Sequence, residues 1–157
     1  MVAPHLERLF PGLRGTTYRV TSPPDPAYNC IAWAVGLTRG WWWPITSHPD
    51  GYWPPGVAQV VTLDAFRDAL ATRGFAPCHG EAPEAGFEKA ALFADSRGTP
   101  THVARQLPVG GWTSKLGFGE DIEHDLRDIE GQIYGTVAVF MKRPLPPAPA
   151  AVAPSAS

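Results

Sequence analysis

Cysteine is scarce: the 157-residue chain holds two, Cys30 and Cys78. Two cysteines cannot staple a chain of this length into a disulfide scaffold, so packing must hold the core. Charge is sparse as well, at 18% of residues, with a net charge of −2 and no long basic run. Nothing here provides the electrostatic footprint of a nucleic-acid or anionic-membrane partner. No apolar run is long enough to span a bilayer. Residues 1–13 carry Pro4, His5, Glu7, Arg8 and Pro11, without the basic start and apolar stretch of a secretory signal. The expectation is a cytoplasmic protein in which Cys30 stays reduced. Phosphate-loop, Rossmann-glycine and serine-elbow patterns are missing too.

What the chain does have is 44% hydrophobic residues, 18 prolines, 16 glycines and six tryptophans. That composition fits one globular domain over residues 1–143, built from short elements and many turns. Residues 144–157 are a Pro/Ala-rich tail without charge or aromatic side chains, and disorder is expected there. Early in the chain, Leu6, Leu9, Phe10 and Leu13 suit a helical turn, and residues 17–20 a short strand. The prolines of Ser22-Pro23-Pro24-Asp25-Pro26 then stop any helix. Asn29 follows as a helix cap, and Cys30-Ile31-Ala32-Trp33-Ala34 opens a helix expected to reach about Leu37.

Residues 39–56 concentrate four tryptophans among prolines and glycines. They read as an ordered loop pinned by aromatic burial. Trp42 and Trp43, with Trp33 and Trp112, are candidates to line a groove beside Cys30. Residues 60–74 form the clearest helix, with Thr62 as cap, Asp64 in the first turn, an apolar face of Leu63, Phe66, Ala69 and Leu70, and Gly74 as stop. Residues 75–78 suit a short edge segment. Strands are then expected at 87–94, 101–107 and 112–117, with short turns that make an antiparallel meander. Residues 119–126 read as a short helix or turn, with Ile122 and Leu126 inward. Residues 135–143 read as a strand, central because its apolar residues run together.

Chemistry centres on Cys30. A cysteine in the first helical turn meets unpaired N–H groups and the positive end of the helix dipole, both of which favour a thiolate. The alternative is a small core residue. His102 opens a strand 72 positions later, and a nucleophile and its base need only be neighbours in space. Together they suggest the activated pair of a cysteine hydrolase, with His102 as general base and then acid. Cys78-His79 with Asp121 or His124 has no recognised zinc spacing. His5 and His48 carry no signal, and Lys115 is expected in solvent or gripping a carboxylate at a cleft rim. No metal or other cofactor is expected.

The helix-opening cysteine, the strand opening His102-Val103-Ala104 and the Gly110-Gly111-Trp112 strand resemble the papain-like superfamily, in an order similar to NlpC-type peptidases, CHAP amidases and transglutaminase-like proteins. The strings Asn29 to Ala34 and Trp112 to Gly117 also resemble a bacterial family of single-domain proteins. The resemblance implies an α+β, papain-like fold in which the Cys30 helix packs on an antiparallel sheet of four or more strands. It implies a cysteine peptidase- or amidase-like enzyme that takes a peptide or other amide or thioester substrate. It also implies a third polar residue that orients His102. Ser114 fits if the residue numbers paired across the hairpin sum to about 216. A slip of one would substitute Thr113 or Lys115. The transglutaminase-like pattern asks for an aspartate where this chain has Leu116, and Asp121 is the nearest one. The Cys30 N–H with Asn29 or Tyr28 could form an oxyanion hole. Two other functions fit the same residues: a binding module that kept the scaffold, and an effector that deamidates or crosslinks glutamine.

Overall fold

The computed structural model describes residues 3–146. Helix α1 (Pro4–Leu9) and a 3₁₀ turn (Pro11–Leu13) lead into strand β1 (Arg19–Ser22). Helix α2 (Cys30–Ala34), short strands β2 (Trp41–Trp42) and β3 (Gly51–Tyr52), and helix α3 (Leu63–Ala71) follow. The remainder is β: β4 (Ala76–Cys78), β5 (Phe87–Ala94), β6 (Pro100–Gln106), β7 (Trp112–Lys115), β8 (Asp121–His124) and, after a 3₁₀ turn (Leu126–Ile129), β9 (Thr136–Pro144). The result is an α+β fold. Seven strands form one sheet in the order β1-β8-β7-β6-β5-β9-β4, every pairing antiparallel, while β2 and β3 pair in parallel apart from it.

The sheet separates two apolar layers. Ala90, Leu92, Val103 and Met141 pack with Cys30, Ile31, Ala32, Trp42, Phe66 and Leu70, the layer of α2 and α3. Ala91, Phe93, Ala104, Trp112 and Ile122 pack with Leu6, Phe10, Leu13, Leu126 and Ile129 on the opposite side. Strand side chains alternate between faces. Phe87-Glu88-Lys89-Ala90-Ala91-Leu92-Phe93-Ala94 is therefore apolar almost throughout, because β5 is covered on both faces.

Several expectations need correction. The doubly covered strand is β5, whereas β9 lies next to the edge strand β4, and of its side chains only that of Met141 is fully buried. Residues 121–124 are a strand, not a helix or turn. Ile122 and His124 face one layer while Asp121 and Glu123 pair toward the other, a period of two rather than 3.6. Helix α2 stops at Ala34, shorter than expected, and Gly36 at φ 92° turns the chain away. Helix α3 keeps Thr62 as its cap, the side chain accepting from the Ala65 N–H at 3.2 Å. The tail expected at 144–157 begins with Pro144 still paired in β9 opposite Phe87, and residues 147–157 lie outside the described residues. Among the described residues no helix is long and apolar enough to cross a membrane.

Candidate active site

Asn29 anchors the start of α2. Its side-chain oxygen accepts from the N–H groups of Ala32 (3.2 Å) and Trp42 (3.1 Å), and its amide nitrogen donates to the Trp42 carbonyl at 2.6 Å. Every bond this amide makes serves the junction between α2 and β2. Tyr28 is committed as well, its hydroxyl donating to Asp121 at 2.6 Å. The Tyr28 hydroxyl has thus spent its one hydrogen, while the Asn29 amide has used one of its two N–H donors.

Cys30 itself is 7% exposed. Burial pushes its thiol up to about 11, while the backbone N–H groups of Val103, Ile31 and Cys30 and the charge of Lys115 pull the other way. A five-residue helix carries too small a dipole to reverse that order. The thiol is thus protonated at neutral pH in this closed arrangement. The Val103 N–H reaches it where the sheet parts: β6 and β7 pair at Arg105–Thr113 and Gln106–Trp112 and no further, although both strands run on.

The His102 ring is wholly buried. It lies flat on Tyr134, with ring centroids 4.0 Å apart, and edge-on to Phe93. Its Nε2 is 2.8 Å from Ser114 Oγ, and Ser114 Oγ is in turn 2.7 Å from His124 Nε2. His124 Nδ1 lies 2.8 Å from the Asp125 carbonyl oxygen. The paired residue numbers across the β6–β7 hairpin sum to 218 (105 + 113), not 216. A shift of two preserves the face, so Ser114 still meets His102. Burial holds His102 well below the ordinary histidine range, helped by the neighbouring His124, and holds His124 at about 4. Both rings are neutral at pH 7. His102 Nδ1 is buried with no hydrogen-bond partner.

His102 and Ser114 share the face that packs on α1, whereas Cys30 and Val103 belong to the other layer. No hydrogen bond joins Cys30 to His102. The two border the same parting of the sheet, close enough that negative charge on Cys30 would raise the pKa of Tyr134, the ring stacked on His102.

Asp121 stands on the Cys30 side, away from His102. Its Oδ2 accepts from Ser22 (2.5 Å) and Tyr28 (2.6 Å), and its Oδ1 is buried without a partner. Lys115 is wholly buried rather than solvated. Its ammonium donates to the carbonyls of Asp25 (2.7 Å) and Gly117 (2.5 Å) and lies 4.8 Å from the centre of the Tyr28 ring. Burial lowers its pKa. Trp33 donates to Thr113 at 3.0 Å beneath the Arg105 guanidinium. Trp42 and Trp112 are core residues, and Trp43 packs edge-on to Phe66. Among the described residues, clefts of about 230 to 500 Å³ open at several places on the surface, and neither Cys30 nor His102 lines these. Trp42, Trp43 and Trp112 each border one or two of these clefts instead of a groove at Cys30.

His124, named from the sequence only in a grouping without a recognised zinc spacing, is buried beside Ser114. The signal was the alternation of Ile122 and His124, which puts both on the Ser114 face once residues 121–124 form a strand. Among the described residues no group of three or more His, Cys, Asp or Glu side chains gathers as a metal site. The chain belongs to a family described as a domain of unknown function (DUF7689), whose model matches residues 19–142. No curated protein and no solved structure matches it.

Proposed function

Membership of this family assigns no chemistry, and we propose that the chain is a papain-like cysteine hydrolase or acyl-transferase acting on an amide or thioester bond. The observation that carries the reading is His102 Nδ1. It is a buried ring nitrogen left unpaired while the other nitrogen is fixed by Ser114. An unpaired buried polar atom costs about 1–3 kcal/mol, and functional sites are where such a cost persists.

In this reading Cys30 gives its proton to His102 Nδ1. Its sulfur bonds to the carbonyl carbon of the substrate, and the imidazolium returns the proton to the departing amine. Water, or an acceptor amine, then releases the acyl group from the thioester. Ser114 orients the ring, and the N–H groups of Cys30, Ile31 and Val103 surround the developing negative charge. Lys115, with one of its three N–H donors uncommitted, supplies positive charge beside the sulfur. Substrate must first open the cover over Cys30.

A second reading rests on the buried thiol, with Cys30 only 7% exposed: a non-catalytic binding module. Its surface would be the stacked rings of Trp41, His48 and Phe118, where Phe118 is 61% exposed. Iodoacetamide labelling of Cys30 against pH separates the two, with Cys78→Ser removing the other thiol. Iodoacetamide reaches the sulfur only once the cover opens, so the midpoint reports the opened site: a hydrolase labels below the ~8.5 of a free thiol, and His102→Gln abolishes that limb. A midpoint near 11 that His102→Gln leaves unchanged refutes the enzyme and favours the binding module.

A further inference from the structure

We propose that His124, acting through Ser114, is a positioning residue that holds His102 in the tautomer with its proton on Nε2 and its lone pair on Nδ1. The inference rests on the role given to His102 above and explains how its unpaired nitrogen is kept basic.

The Asp125 carbonyl fixes the direction of the whole chain of bonds. A carbonyl oxygen only accepts, so the ring nitrogen facing it, His124 Nδ1 at 2.8 Å, carries hydrogen. A neutral imidazole has one N–H, which makes His124 Nε2 an acceptor. The Ser114 hydroxyl at 2.7 Å therefore donates to it. That spends the only hydrogen on Ser114 Oγ. Toward His102, at 2.8 Å, the same oxygen must accept, so His102 Nε2 carries the proton. The remaining nitrogen, Nδ1, is left with its lone pair. The bonds form one directed chain, His102 to Ser114 to His124 to a carbonyl that cannot reverse it. Burial keeps both rings neutral, as the direction requires.

Without the acceptor at His124, the Ser114 hydroxyl can turn and donate to His102 Nε2. The proton would then sit on Nδ1, where it cannot accept the thiol hydrogen. The outer end of the chain is not sealed. His124 lines a cleft of about 230 Å³ with Tyr18, Arg19, Glu123, Asp125 and Asp128, so the relay begins at solvent and ends beside the parting of β6 and β7.

Histidine ring nitrogen shifts, measured by long-range proton–nitrogen NMR on the full chain at pH 7.5, report the tautomer directly. The wild-type protein should show His102 protonated on Nε2 and bare on Nδ1. His124→Gln, whose side-chain oxygen can replace the acceptor, should keep that pattern. His124→Phe should move proton population onto His102 Nδ1 and slow Cys30 labelling at least tenfold. Ser114→Ala breaks the same chain and serves if His124→Phe does not fold. A wild-type His102 protonated on Nδ1, or a tautomer unmoved in both folded variants, overturns the proposal. A tautomer that moves as expected while Cys30 remains inert in every variant sinks the hydrolase reading and leaves the relay standing.

Discussion

Acid should unfold this protein through two histidines, and the size of the effect follows from their burial. A free histidine titrates near ~6.5. In the folded protein His124 is held at about 4 and His102 is also held well below the ordinary range. Between those limits the unfolded chain binds protons that the folded protein refuses, so stability falls as pH falls. Above about pH 7.5 both states are neutral and the contribution disappears. At pH 5 the unfolded His124 gains about 2 kcal/mol from protonation that the folded ring does not, and His102 adds to the loss in the same direction. For His124 the loss levels off near about 3 kcal/mol below pH 4, where the folded ring also takes a proton. A domain of this size has about 5–15 kcal/mol in total, so the loss is large on that scale. Urea unfolding at pH 7.5 and pH 5, with the slope checked for constancy, measures it. His124→Gln should cut the pH-dependent loss by about 2 kcal/mol. A wild-type loss under about 1 kcal/mol, or the same loss in His124→Gln, would refute the assignment of the effect to these rings.

Asn29→Ala removes three hydrogen bonds at the junction of α2 and β2 and strands the Trp42 backbone. The expected cost is at least about 2 kcal/mol, read as a lowered urea midpoint; a change within about 0.5 would contradict the anchoring role. Gly135 sits at φ 71°, where an added Cβ would overlap the Ala94 carbonyl. Gly135→Ala should therefore destabilise by about 2 kcal/mol or more, and a normal melting temperature would contradict the register of β5 and β9. Lys115→Met removes the charge that draws the Cys30 pKa down, so the labelling midpoint of Cys30 should rise; a fall would show that Lys115 acts otherwise.

Where local chemistry decides, the sequence could be read directly. Thr62 and Asn29 cap helices because their side-chain oxygens reach orphan N–H groups three residues on. The strands at 87–94, 101–107 and 112–117 declare themselves by their length and by the glycine turns between them. Residues 119–126 misled because Ile122 and Leu126 fit a helical spacing. The pairing of β8 with β1 and β7 imposed the period of two, and residue spacing cannot reveal partners that distant in the chain. Ser114 was legible beside His102 because a two-residue register error preserves the face. His124 was not, since its burial depends on β8 being a strand at all.

The sequence alone determined the α+β class, the cysteine at a capped helix start and the neighbourhood of His102 and Ser114. These follow from proline and glycine punctuation, capping and the alternation of β side chains, all of which act over a few residues. Tertiary structure decided the state of the chemistry. Cys30 at a helix start was expected to ionise readily, yet the layer of α2 and α3 around it takes away water and pushes the thiol to about 11. Asp121 and His124 are three residues apart, and the sheet sends one to the tyrosine and lysine on the Cys30 side and the other to Ser114. Desolvation and the choice of face depend on which strands meet, and that is set by the packing of the whole chain.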